Sequence, residues 1–213
     1  MKKKPIVGLV DTGTSNIKSV TYALYENNAK VLQISNFRKN EKIDALVVPG
    51  IGSFGYVMER LKKENLDQFI LEKVNKKIPS LFICVGMQVL FSESCEFGVH
   101  KGLNIFKGKV KEINRFDNKS QKKRNIPFIG WNKIIKKKNC KILNNIKDEE
   151  FFYFTHSYYV EPEKKEIIST YADYLNFTYC SSLSKDNIFA TQFHPEKSGN
   201  HGLKIYKNFL ELI

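Results

Sequence analysis

Apolar and polar positions alternate along this chain in two distinct textures. In the first half, short and wholly apolar runs are separated by helical spacing. Ile6 to Val10, Ala45 to Val48 and Leu81 to Ile83 read as buried strands, the first typical of a strand covered on both faces, and Val31 to Ile34, which includes Gln33, as a further strand. Ile17, Val20 and Leu24, and later Leu66, Phe69, Ile70 and Val74, recur at the helical period and predict amphipathic helices between the strands. A β-α-β-α-β-α-β order with short turns predicts a parallel sheet with helices on both faces. From Gly102 onward β-branched and aromatic residues dominate. Val110 to Ile113, Phe151 to Val160, Glu166 to Tyr171, Phe177 to Ser182 and Ile188 to Phe193 read as strands, Arg115 to Asn125 as a polar loop, and Gly202 to Leu212 as a closing helix. No internal repeat or linker-like stretch interrupts the pattern, so residues 1–213 read as one α/β domain.

In such sheets ligands gather beyond the carboxyl ends of the strands. Three strand ends carry residues with chemistry. Leu81 to Ile83 runs into Cys84, with Gly86 two residues later and an apolar helical start, Met87 to Phe91, behind it. A sharp strand-to-helix turn holding a thiol is a nucleophile elbow, and the N–H groups at the start of the helix favour the thiolate. A cysteine after an apolar strand is also a common inert core residue. Ala45 to Val48 runs into Pro49-Gly50-Ile51-Gly52-Ser53-Phe54-Gly55, whose two glycines can bring bare N–H groups up to an anion or can simply make a turn. Ile188 to Phe193 ends in His194-Pro195-Glu196, where Glu196 can accept from the imidazole and fix its tautomer. No one of these is specific. Together, a thiol, a base with its orienting carboxylate and a set of oxyanion donors describe acyl transfer through a thioester.

Composition narrows the class. With 42% hydrophobic and 13% aromatic residues over 213 positions, the chain can bury one sizeable core. No apolar run approaches the roughly 20 residues of a membrane span. Met1-Lys2-Lys3-Lys4 resembles the basic start of a signal peptide, but the apolar run behind it stops at Asp11, so a cytoplasmic protein is expected. Cys84, Cys95, Cys140 and Cys180 are scattered without a C-x-x-C pair, which signals neither a disulfide framework nor a metal site, and no cofactor is expected. The net charge of +13 comes from lysine clusters spread along the whole chain. They suit a solvated surface. An acidic partner or phosphorylated substrate, or nucleic acid, would also explain them, although no recognition-helix or RNA-binding motif accompanies them.

The longer motifs carry a resemblance. Pro-Gly-Ile-Gly-Ser-Phe-Gly (49–55), Ile-Cys-Val-Gly-Met-Gln-Val-Leu-Phe (83–91), Ile-Gly-Trp-Asn (129–132), Tyr-Phe-Thr-His-Ser-Tyr-Tyr (153–159) and Gln-Phe-His-Pro-Glu-Lys-Ser-Gly (192–199) stand in the order and spacing of one family. Over residues 6 to 213 the chain resembles the class I (triad) glutamine amidotransferases, and among them most resembles the glutaminase subunits of imidazole glycerol phosphate synthases. The resemblance implies a flavodoxin-like parallel sheet flanked by helices, with additional C-terminal antiparallel strands. It implies Cys84 as the nucleophile on the carboxamide of L-glutamine, His194 as base and then acid, and Glu196 as its orienting partner. Backbone N–H groups around Gly50, Ile51 and Gly52 and at Val85 would form the oxyanion hole. Gln88, Glu96, Ser157 and Tyr158 would hold the amino-acid end of glutamine. Asp11, Asn16, Trp131, Asn132, Tyr153 and Lys197 would lie where the family docks a (βα)₈-barrel synthase subunit, to which ammonia passes. A paralogue serving an amino-sugar amidotransferase of surface-glycan synthesis would keep the same chemistry with another partner. A non-catalytic scaffold would keep only the fold. The chain departs from the family pattern at Thr12 to Ser15, at Val85 and Phe128 (usually Leu and His), and in the basic Arg115–Asn125 loop. The triad positions are untouched.

Overall fold

The computed structural model describes residues 4–14, 16–37, 41–117 and 122–213. Lys2, Lys3, Ser15 and the middle of the predicted basic loop, 118–121, lie outside them. In chain order the elements are β1 (Ile6–Val10), α1 (Ile17–Glu26), β2 (Lys30–Ile34), β3 (Ala45–Gly50), α2 (Phe54–Lys63), α3 (Leu66–Asn75), β4 (Ser80–Cys84) and the single buried turn α4 (Val85–Gln88). There follow β5 (Glu93–Ser94), β6 (His100–Lys101), β7 (Gly108–Glu112), β8 (Phe128–Lys133), β9 (Ile135–Lys136), β10 (Phe151–His156), β11 (Tyr158–Pro162), β12 (Ile168–Asp173), β13 (Thr178–Lys185), β14 (Ile188–Thr191) and α5 (Gly199–Leu210).

An eight-stranded sheet in the order β2-β1-β3-β4-β14-β13-β12-β9 forms the centre. Its first five strands are parallel, and β13, β12 and β9 continue it antiparallel. Every residue of β3, β4 and β14 is buried, as continuous apolar runs in the middle of a doubly covered sheet should be. Helix α1 packs on α5, and α2 on α3. This is the α/β arrangement of flavodoxin-like folds, with antiparallel strands added at one side. Two smaller sheets, β10-β8 and β11-β7-β5-β6, form separate ladders packed against it.

Several boundaries differ from the sequence reading. Pro49 and Gly50 belong to β3, where they pair with Ile83 and Cys84, and Phe54 already opens α2, so the predicted loop shrinks to residues 51–53. Helix α2 was hidden behind the glycines, yet Phe54, Val57, Met58 and Leu61 fall at helical spacing and are all buried. No helix lies between β2 and β3 among the described residues. Phe151 to Val160 is not one strand: the chain leaves β8 at His156 and joins β7 from Tyr158. Strand β8 was missed because its exposure alternates and Gly130 interrupts it. The basic loop has internal order: Phe116 bridges Lys123, and buried Arg124 donates to the carbonyls of Asn114, Phe116, Tyr174 and Leu175 and pairs with Asp117. Among the described residues no helix is long and apolar enough to cross a membrane.

Candidate active site

The sheet order itself assembles the site. Strands β3, β4 and β14 are neighbours, so three segments remote in sequence end side by side at one carboxyl edge. Cys84 ends β4 with φ 55° and ψ −110°, a conformation L-residues avoid, and it heads the turn α4. The turn is tight enough that a Cβ at position 86 would come 2.0 Å from the Val48 carbonyl oxygen, and only glycine fits there. Gly50 sits directly opposite Cys84 across the β3–β4 ladder. One strand further on, Thr191 pairs with Ile83, and His194 follows three residues later.

His194 and Glu196 are almost wholly buried, with Nδ1 and Oε1 2.7 Å apart. A short 3₁₀ turn, Pro195–Lys197, folds the carboxylate back onto the ring. The other ring nitrogen, Nε2, is buried and makes no hydrogen bond of good geometry. Burial alone would lower the basicity of His194. The negative charge available on the Cys84 sulfur, with Glu196 behind it, more than reverses this and holds the imidazole well above the usual histidine range. The Cys84 sulfur and the Glu196 carboxylate are thus the groups that raise the basicity of His194. Cys84 is 3% exposed and lines a narrow cavity.

That cavity holds about 200 Å³ and is walled by Ile51, Gly52, Cys84, Val85, Gln88, Glu96, Ser157 and Tyr158, with Pro127, Thr155 and His156. The space is well below the roughly 300–1,000 Å³ of pockets for drug-sized ligands and suits a single amino acid. Seven of the eight residues singled out in the sequence for oxyanion or substrate contacts meet there, beside Cys84; Gly50 is not part of the lining. Glu96 accepts from the Phe54 N–H at 2.6 Å, and burial holds its carboxyl above the ordinary range. Gln88 donates through Nε2 to the Tyr158 carbonyl at 3.1 Å.

Asp11, Asn16, Trp131, Asn132, Tyr153 and Lys197 lie outside the cavity lining. Asp11 accepts from Gly13 N–H and Gln33, and Asn16 caps α1 through Ser19 N–H. Asn132 donates to the Asp173 carbonyl. Trp131 and Tyr153 stand opposite each other in the β8–β10 ladder with their rings 6.1 Å apart, edge to face. Lys197 Nζ lies 5.7 Å from the Tyr153 ring centroid. On the same face Ile129 and Phe151 are exposed, and Trp131 is 54% exposed, so this is an apolar strip and not a core.

Two residues of the site carried no role in the sequence. His156 is fully buried: its Nδ1 lies 2.9 Å from the Tyr158 carbonyl oxygen, and burial lowers its basicity to about 4, leaving a neutral ring at pH 7. Gln192 is fully buried and donates through Nε2 to the Cys84 sulfur at 3.5 Å. The available signal was a polar residue within each apolar or aromatic run. That signal says the residue has a partner without saying which.

The chain belongs to the class I glutamine amidotransferases: the family model Glutamine amidotransferase class-I matches residues 8–212. Among its relatives, it is 41% identical over 207 residues to imidazole glycerol phosphate synthase subunit HisH of Chlorobium chlorochromatii, covering 97% of this chain and 100% of the relative. It is likewise 41% identical over 206 residues to the subunit of the same name from Pyrococcus furiosus, covering 97% and 98%. Among solved structures, PurLQS from Thermotoga maritima superposes with a TM-score of 0.71 at 17% identity, over 99% of both chains, a likeness of fold.

Proposed function

We propose that this chain is a glutaminase subunit that releases ammonia from L-glutamine through a Cys84 thioester and passes it to a (βα)₈-barrel partner, the cyclase subunit of an imidazole glycerol phosphate synthase. The observation that carries the chemistry is the strained Cys84 elbow lining a cavity sized for one amino acid, with the buried His194–Glu196 pair at the end of the neighbouring strand and outside the cavity lining.

In this reading the α-ammonium of glutamine sits on Glu96, whose carboxylate is held in place by the Phe54 N–H. The side chain then reaches towards Cys84. The thiolate attacks the carboxamide carbon, and the N–H groups of Gly52 and Val85 receive the developing oxyanion. His194, held by Glu196, gives its Nε2 proton to the leaving nitrogen; the C–N bond breaks, and ammonia leaves a γ-glutamyl thioester. Water then attacks the thioester as His194 takes a proton from it. The C–S bond breaks, glutamate departs and the thiolate is restored.

Two findings support the partner. The relatives at about 40% identity bear the name of a synthase subunit over essentially the whole chain. The exposed Ile129, Trp131 and Phe151, with the half-buried Tyr153 among them, are also the kind of aromatic surface that anchors interfaces. We read residues 1–213 as one glutaminase domain of a cytoplasmic heterodimer. The experiment is twofold. A glutamine-mimicking electrophile should label Cys84 and fail to label Cys84→Ala. Co-purification with the barrel subunit should give a glutaminase that depends on the acceptor substrate. Labelling without association with the barrel subunit would keep the chemistry and refute the partner, pointing to an enzyme such as the amino-sugar amidotransferase.

A further inference from the structure

We propose that Gln192 acts directly on the nucleophile: its side-chain N–H donates to the Cys84 sulfur and stabilises the anionic sulfur from which attack starts and to which thioester hydrolysis returns. The sulfur's role rests on the glutaminase reading; the hydrogen bond does not. Three buried polar groups form a chain that ends on the sulfur. Gln88 Nε2 donates to the Tyr158 carbonyl and to Gln192 Oε1, both at 3.1 Å, and Gln192 Nε2 donates to Cys84 Sγ at 3.5 Å.

The direction of this chain is not free. A main-chain carbonyl only accepts, so the Tyr158 oxygen forces the amide nitrogen of Gln88 to face it. The second hydrogen on that nitrogen meets Gln192, which must therefore present its oxygen. The nitrogen of Gln192 is left facing the sulfur. Turning the Gln192 amide over would set two donors against each other in a site where Gln88 and Gln192 are 3% and 0% exposed, and there is no solvent to relieve the conflict.

Beside Gln192 and the His194 imidazole, a third polar group near the sulfur works the opposite way. The Thr155 carbonyl lies 3.8 Å from Cys84 Sγ, where a protonated thiol can donate to it and a thiolate cannot. Gln192 supplies the donor that a thiolate needs, and the same buried strand end presents His194 two residues on. A hydrogen bond to a charged group is stronger than one to a neutral group, so this contact selects the anion. A corollary concerns Gln88. Both its amide hydrogens are engaged within the protein, so it can meet glutamine only through its carbonyl oxygen, which accepts from an ammonium.

The test reads the sulfur without glutamine. Alkylation of Cys84 by iodoacetamide, in the full chain and followed against pH, reports the thiolate fraction. Gln192→Met, which keeps length and removes the donor, is expected to move the alkylation midpoint up by about one unit or more, a tenfold loss of thiolate below it. Gln192→Glu, which places a carboxylate there, should move it further. Gln88→Met leaves Gln192 in place but unlocks its orientation, and should give a smaller upward shift. It also serves as the test if neither Gln192 variant folds. An unchanged alkylation profile in any of these variants with wild-type circular dichroism would overturn the proposal and make Gln192 a packing residue. Failure of the glutaminase reading would instead appear as a wild-type chain that alkylates normally and never consumes glutamine, alone or with its partner.

Discussion

The backbone N–H of His194 donates to the Tyr153 carbonyl at 2.9 Å, so the strand whose aromatic ring faces outward is bonded directly to the turn that carries the imidazole. Ser198 adds a second tie. Its hydroxyl accepts from the Tyr153 N–H at 3.0 Å and donates to the His194 carbonyl at 2.7 Å. A body that presses on the Trp131–Tyr153 strip therefore bears on the triad through two or three hydrogen bonds.

Partner binding is expected to raise glutamine turnover. The isolated chain should hydrolyse glutamine at less than about one per second, if the Gly50–Gly52 donors reach their working alignment only when a partner is bound. Trp131→Ala should weaken association with the partner by about tenfold or more, as loss of an interface aromatic does. Steady-state assays with titrated partner check both, and turnover of several per second by the lone chain would remove the coupling.

Cys84→Ala is expected to abolish glutamine-dependent synthesis by the complex and to spare synthesis from added ammonium salt, because the partner's chemistry needs ammonia and not its source. Loss of both activities would mean that the elbow is needed for assembly.

His194 should stay an imidazolium above neutral pH. Burial disfavours its charge, and the Cys84 sulfur and Glu196 favour it by more. Removing the sulfur charge in Cys84→Ala should therefore lower its titration midpoint. Nitrogen-15 NMR of labelled histidine measures this directly, and an unmoved midpoint would show that the two groups do not interact.

The affinity for glutamine should fall on acidification sooner than an ordinary carboxylate would dictate. Burial raises the Glu96 carboxyl, so it takes up a proton at a higher pH than an exposed one, and the neutral acid cannot hold an ammonium. Glu96→Gln should raise KM by about 30-fold or more, since removing one member of a buried charge pair costs roughly 2 kcal/mol or above. It should also flatten the acid limb of the KM profile.

His156 makes the fold acid-sensitive. Its folded basicity, lowered to about 4 by burial, lies below that of an unfolded histidine near 6.5, so the unfolded chain binds the extra proton first. Stability from this residue is complete above pH 6.5 and is lost progressively as the pH falls towards 4, by on the order of 3 kcal/mol at most. Urea midpoints at pH 7 and 4.5 should differ less in His156→Asn than in the parent chain.

The parallel core was legible in the sequence because β1, β3 and β4 are buried on both faces and leave uninterrupted apolar runs. The strand ends that carry Cys84 and His194 were legible for the same reason, since a polar residue closing such a run stands out. What stayed hidden depends on contacts between distant segments. Strand β8 alternates around a glycine and acquires its pairing from β10, and the break at Ser157 follows from a change of partner strand. Nothing in residues 188–193 says that Gln192 faces a sulfur; that is decided by the register of β14 against β4.

Strand β14 lies between β4 and β13 in the finished sheet, although it is made long after the strand that carries the thiol. During synthesis the nucleophile therefore leaves the ribosome with an empty slot beside it, and the base arrives only when the last strand is threaded into the gap. The thiol and the imidazole thus become neighbours only once the last strand has closed the sheet around β4.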